Sequence, residues 1–117
     1  MLLLIRDYLC DYLVVMCTAP PESSGKLARS VVEERLAACV NITQVRSTFL
    51  WKDELKEEAE DLLIMKTATE KAEALAARII SLHPYDLPEV VVLPVIGGDE
   101  GYLDWISETV GSGSDPR

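Results

Sequence analysis

The stretch that decides the fold is CVNITQVRSTFLWKDELKEEAEDLLIMKT, residues 39–67, in which a polar turn separates two runs rich in strand-forming residues. Cys39 to Trp51 is predicted to form one long strand. A bulge or bend is expected near Thr43-Gln44, because the side of the strand that carries apolar residues changes there. Lys52 to Lys56 is a polar turn, and Glu57 to Thr67 is predicted as the returning strand. The centre of the chain is therefore a long β-hairpin.

A strand and a helix precede this hairpin. Asp11 to Cys17 contains a short apolar run that is typical of a strand, and the two prolines after it end the strand. Apolar residues then recur at helical spacing from Leu27 to Leu36, with charged residues on the opposite side. Ser23 or Ser24 is the expected N-cap of this helix.

The hairpin is followed by a second helix and a second strand. Thr67 or Thr69 is the expected cap of this helix, and Pro84 ends it. Its predicted buried stripe consists of Ala72, Leu75, Ala76 and Ile79. Val90 to Leu93 is predicted as a strand, and Tyr102 to Val110 as a short terminal helix.

This order of elements is strand, helix, strand, strand, helix, strand and short helix. It predicts an α+β fold of the ferredoxin-like βαββαβ type, an antiparallel sheet with two helices on one face and a short C-terminal helix. We expect one domain over residues 1–110 and a disordered Gly/Ser-rich tail over residues 111–117. No helix or strand is predicted for residues 1–9, although they could extend the first strand.

Three of the strands are apolar toward both faces of the sheet, as in Leu13 to Met16, Leu62 to Met65 and Val90 to Leu93. Two helices cover only one face, so the second face would present an apolar patch that soluble monomers rarely tolerate. Another copy of the chain is the simplest cover, which predicts an oligomer. The alternative is a small sheet whose second face is closed by residues 1–9 and the terminal helix.

Composition and charge exclude several classes of function. The 117 residues carry eleven basic and twenty acidic side chains, a net charge of −9, which argues against nucleic acid and anionic membrane as partners. The apolar run Met1 to Ile5 is too short for a signal peptide or a membrane helix. Three cysteines without CxxC spacing favour a reducing compartment, and we expect the cytoplasm.

Three residues are candidates for site chemistry. Cys17 ends the first strand, His83 is the only histidine, and Glu89 precedes the last strand. A thiolate, an imidazole and a carboxylate together would suit copper or zinc, although their spacing is not a known metal pattern. Cys17 as a buried core residue and His83 as a helix C-cap are the structural alternatives. A Cys–His hydrolase would also need an oxyanion hole, and the G-x-S-x-G motif is lacking, so we expect no enzyme.

Several short motifs stand out between residues 13 and 108. They are Cys17-Thr18-Ala19-Pro20, Leu36-Ala37-Ala38-Cys39-Val40-Asn41-Ile42, Trp51, Lys66-Thr67, His83-Pro84-Tyr85, Pro88-Glu89, Tyr102-Leu103 and Trp105-Ile106. Taken together, they resemble the CutA family of divalent-cation tolerance proteins. The resemblance implies a ferredoxin-like subunit in a homotrimer that binds copper and other divalent cations. It carries the family's copper ligands over to Cys17, His83 and Glu89.

One departure and two alternatives accompany this resemblance. The family usually has glycine two residues after the hairpin tryptophan, where this chain has Asp53, so the geometry of the hairpin tip is open. Trimers of this fold also resemble the PII signalling proteins, which suggests a small-molecule sensor as an alternative function. A structural or interaction trimer without a ligand of its own is the other alternative.

Overall fold

The computed structural model describes residues 10–111. Its elements are β1 (Tyr12–Ala19), α1 (Pro21–Glu33), β2 (Cys39–Trp51), β3 (Glu54–Ala68), a 3₁₀ turn (Thr69–Lys71), α2 (Ala72–Leu82), β4 (Val91–Pro94) and α3 (Glu100–Val110). This order confirms the predicted ferredoxin-like α+β class. The predictions for residues 1–9 and for most of the tail, residues 112–117, lie outside the described part of the chain.

The sheet has the strand order β2-β3-β1-β4, and its neighbouring strands are antiparallel. The central strand β1 pairs with β3 along its whole length, from Tyr12 to Ala19. On its other side β1 pairs with β4 only from Leu13 to Met16. Cys17 and Thr18 therefore lie beyond the end of the β4 ladder, where groups outside the sheet must satisfy the exposed edge of β1.

The β2–β3 hairpin is continuous from Cys39 opposite Lys66 to Trp51 opposite Glu54. The bulge predicted near Thr43-Gln44 was therefore wrong. The apolar pattern changes there because the outer half of the hairpin extends away from the helices, so alternation no longer follows a core.

A two-residue turn closes the hairpin tip. Lys52 and Asp53 have φ of 51° and 64°, the left-handed values that a type I′ turn requires. Asp53, which stands where the resemblance expects glycine, therefore has the left-handed backbone of a tight turn. Leu50 and Leu55 beside the turn are about 70% exposed, at 70% and 68%.

The core lies between one face of the sheet and the two long helices. Val15 and Cys17 of β1 pack with residues of β3 and with both helices, and Leu75 and Ile79 of the predicted stripe are fully buried there. The predicted buried stripe of apolar residues on α2 is thus confirmed. Because side chains alternate along a strand, the odd-numbered positions of β1 and β3 make up this helix-covered face.

Both predicted sets of helix caps were wrong. α1 begins at Pro21, whose fixed φ suits the first helical position. Ser24 is buried instead, and its hydroxyl donates to Asp61 of β3 at 2.5 Å. Thr67 and Thr69 do not cap α2, because their hydroxyls donate to the backbone carbonyls of Leu36 and Cys10, each at 2.7 Å.

The opposite side of the sheet is only partly covered. α3 packs over one end of it, where Ile106 and Val110 contact Ala38 and Ala68. The uncovered part of this side includes a patch of apolar side chains, half-buried or exposed, which we call the open face. They are Val14, Met16, Leu62, Ile64, Val91 and Leu93. The prediction that these strands are apolar on both sides is confirmed, and the terminal helix closes one end of the second face only.

Candidate metal centre

Cys17 is a core residue with no solvent exposure, at 0%. Its thiol donates to the carbonyl of Thr18, with a sulfur–oxygen distance of 3.5 Å. Burial raises the pKa of this thiol to about 12, and the negative charges of Glu89 and Glu60 raise it further in the same direction. In the metal-free protein Cys17 is therefore a protonated thiol at neutral pH, and a metal ion would have to displace its proton.

His83 is the C-cap residue of α2, and its backbone N–H donates to Ile79 at 2.9 Å. The residue is 8% exposed, and both ring nitrogens make hydrogen bonds. Nδ1 accepts from the backbone N–H of Tyr85 at 3.1 Å, so the ring proton is on Nε2, which donates to the carbonyl of Thr18 at 2.7 Å. The imidazole therefore bonds the end of β1 and not, as the capping alternative expected, the last carbonyls of its own helix.

Glu89 lies in the irregular segment between α2 and β4 and is exposed. Its carboxylate is close enough to the Cys17 thiol to raise that group's pKa. The three residues predicted as ligands thus lie on one side of the molecule. Cys17 and His83 share the carbonyl of Thr18, and Glu89 acts on Cys17 through its charge.

Two residues of this region were missed as site residues. The Tyr85 hydroxyl donates to Glu60 of β3 at 2.9 Å, and the Tyr85 ring lies against His83 with centroids 4.7 Å apart. Desolvation raises the pKa of Tyr85 to about 12, and the hydrogen bond to Glu60 acts in the same direction. Glu60 is 5% exposed, so it is buried although it stands in the acidic run Glu57 to Asp61. Nothing in the sequence pattern distinguished Glu60 from the other acidic residues around it.

A groove of about 370 Å³ lies between this loop and the outer hairpin. One wall is Pro84 to Leu87, and the other contains Phe49, Trp51, Lys56 and Glu58. Tyr85 therefore stands between the buried contacts of His83 and a solvent-accessible surface that is rich in aromatic side chains.

A copper ion does not fit the expected ligands as this chain arranges them. Among residues 10–111, no three side chains of His, Cys, Asp or Glu are grouped so that one ion could be held. Both nitrogens of His83 and the thiol of Cys17 already make hydrogen bonds within the protein. Over the same range, none of the helices is long and apolar enough to cross a membrane.

Comparison with known proteins places this arrangement in a family. The family model described as CutA1 divalent ion tolerance protein matches residues 13–109. The divalent-cation tolerance protein CutA of Thermus thermophilus is 45% identical over 100 residues, 84% of this chain and 97% of that protein. The protein of the same name from Pectobacterium atrosepticum is 41% identical over 104 residues, 87% of this chain and 94% of that one.

A solved structure gives the same result. The PII-like protein CutA from Nostoc, determined in its apo form, is 40% identical and superposes with a TM-score of 0.82 over 84% of this chain and 96% of that chain. Sequence and fold therefore agree over nearly the whole described part of the molecule, and this chain belongs to the CutA1 family of divalent ion tolerance proteins.

Proposed function

We propose that this chain acts as a cytoplasmic homotrimer that binds divalent cations, with copper as the expected ion, and that it contributes to tolerance of such ions. The role is one of binding, without catalysis. The observation that carries the proposal is the family match over residues 13–109, together with relatives named for divalent-cation tolerance.

Assembly is supported by the surface of the described chain. The open face has apolar side chains on three neighbouring strands, and Val91 and Leu93 are 46% and 42% exposed on it. The outer hairpin adds Leu50, Trp51 and Leu55, which are also exposed. Burial of such a contiguous apolar surface between copies is the ordinary stabilisation of a closed oligomer.

Cation binding is supported by charge. The net charge of −9 favours the approach of cations, and Glu89 is the one expected ligand that is exposed. Cys17, His83 and Glu89 are the ligand set that the family resemblance implies, and this set is therefore the first to be tested.

The test is a titration of Cu²⁺ into the purified protein, with the stoichiometry per chain determined by calorimetry. Glu89→Gln is expected to weaken binding at least tenfold, because it removes a charged oxygen ligand without altering the buried contacts. Glu73→Gln, an exposed carboxylate on α2, is the matched control and should bind as wild type does. If the wild type and the Cys17→Ala/His83→Ala/Glu89→Gln variant bind Cu²⁺ with equal affinity, these three residues are not the ligands.

A second candidate function is that of a small-molecule sensor, which is favoured by the similarity to a protein described as PII-like. A thermal-shift screen with nucleotides and small anions separates the two functions. A rise in melting temperature with one of these compounds, but not with Cu²⁺, would favour the sensor.

A further inference from the structure

We infer that neither Cys17 nor His83 holds an ion. His83 fastens the loop after α2 to the end of β1 and is a positioning residue for the contact between Tyr85 and Glu60, whereas Cys17 is a core residue of β1 that bonds the same Thr18 carbonyl. The inference concerns two of the ligands in the proposed function, but it does not require that the protein binds a cation at all.

The first step is the unpaired end of β1. The β4 ladder stops at Met16, so the strand edge at Thr18 has no neighbouring strand on that side. The Nε2–H of His83 and the thiol of Cys17 donate to the Thr18 carbonyl at 2.7 and 3.5 Å. Together they supply donors to a backbone group that would otherwise be unsatisfied in a largely buried region.

The second step is that His83 has no free lone pair. Nε2 carries the proton that it donates to Thr18, and the lone pair of Nδ1 accepts from the backbone N–H of Tyr85. A metal bound at either nitrogen would replace one of these two bonds. Ion binding and loop attachment therefore compete for the same atoms.

The third step is the position of Cys17. Its side chain is fully buried among Val15, Leu27 and Leu63, on the face of the sheet that the helices cover. An ion could reach the sulfur only if this packing opened. A core location suits a small apolar residue and does not suit a site that exchanges ions with solvent.

The fourth step follows the contacts outward from His83. Its ring lies against Tyr85, and the hydroxyl of Tyr85 donates to the buried carboxylate of Glu60 at 2.9 Å. A continuous series of contacts thus runs from Thr18 on β1, through the loop, to Glu60 on β3. It fixes the wall of the groove that Pro84 to Leu87 form.

Metal titration tests the first half of the inference. Cys17→Ala and His83→Asn are expected to bind Cu²⁺ within twofold of the wild-type affinity, and copper-loaded wild type should have no thiolate-to-copper charge-transfer absorption. A tenfold loss of affinity in either variant, or such an absorption band that disappears in Cys17→Ala, would overturn it.

Hydrogen exchange tests the second half, in the metal-free protein. His83→Ala should increase exchange of the Tyr85 amide at least tenfold, whereas His83→Asn, whose side-chain oxygen can replace Nδ1 as acceptor, should restore most of the protection. Tyr85→Phe is the matched control, because it removes only the bond to Glu60 and should leave the Nε2–H signal of His83 observable by NMR.

These readouts separate the two proposals. If wild type binds no Cu²⁺, the proposed function fails, while amide exchange still decides whether His83 fastens the loop. If the Tyr85 amide exchanges at the same rate in wild type and His83→Ala, the attachment is wrong, whatever the copper titration gives.

Discussion

At the scale of single residues, Asp53 occupies a backbone position that favours glycine. Its φ of 64° follows that of Lys52, 51°, in a two-residue turn. Replacement by glycine removes the clash of Cβ with the backbone, and we expect Asp53→Gly to stabilise the protein by roughly 0.5–1 kcal/mol. Guanidinium unfolding measures the change. Asp53→Ala serves as the control and should be neutral or destabilising, whereas a lower midpoint for Asp53→Gly would contradict the argument.

Cys17 makes stability depend on pH in the alkaline range. Its pKa rises from 9.0 to about 12 on folding, so the unfolded chain loses this proton first. The contribution of the protonated Cys17 thiol to the free energy of unfolding is fully present below pH 9 and is lost as the pH rises toward 12. At pH 10 we expect the difference in unfolding free energy between wild type and Cys17→Ala to have fallen by roughly 1 kcal/mol relative to pH 7. A difference that does not change with pH would show that the thiol ionises equally in both states.

At the scale of elements, the contact between α1 and β3 combines apolar packing with one buried side-chain hydrogen bond. Ser24 donates to the carboxylate of Asp61 at 2.5 Å, and both side chains are buried. Ser24→Ala leaves that carboxylate without this donor and is expected to destabilise the protein by about 2 kcal/mol. Thermal or denaturant unfolding measures the loss. Ser23→Ala, one residue earlier in the same helical turn, is the control and should change stability by less than about 0.5 kcal/mol.

The elements themselves were predictable from local pattern, whereas their mutual contacts were not. The spacing of Leu75 and Ile79 identified the buried side of α2, because a helix repeats every 3.6 residues. The caps failed because the hydroxyls of Ser24 and Thr67 have partners 37 and 31 residues away, and local spacing does not contain such pairings.

The residues of the candidate site could likewise be predicted in part, whereas their contacts could not. Residue type and the family motifs brought Cys17, His83 and Glu89 to attention, and the fold does bring Cys17 and His83 to one carbonyl. The motifs did not indicate that both nitrogens of His83 are already bonded. They also did not indicate Glu60, because a glutamate within an acidic run has the appearance of a solvated residue until its hydrogen bond with Tyr85 is known.

At the scale of the whole molecule, assembly depends on the open face. We expect Leu93→Asp, placed at a half-exposed position of β4, to leave the 13.0 kDa chain folded but unable to associate, because a charge there would be desolvated between copies. Sedimentation velocity measures the mass of the particle. Ala77→Asp, on the exposed side of α2, is the control and should sediment as wild type does. If the wild-type protein sediments with the mass of a single chain, the proposed trimer is wrong.

The long hairpin has a further consequence for the dissociated chain. β2 is the outermost strand of the sheet, and its 13 residues present one edge with backbone groups that no strand within residues 10–111 pairs. Such an edge is a template for cross-β stacking, and the repulsion among Glu54, Glu57 and Glu58 on the adjacent strand opposes it. Replacement of these three glutamates by glutamine should therefore let dissociated chains form amyloid-like fibrils along β2, which thioflavin fluorescence would detect.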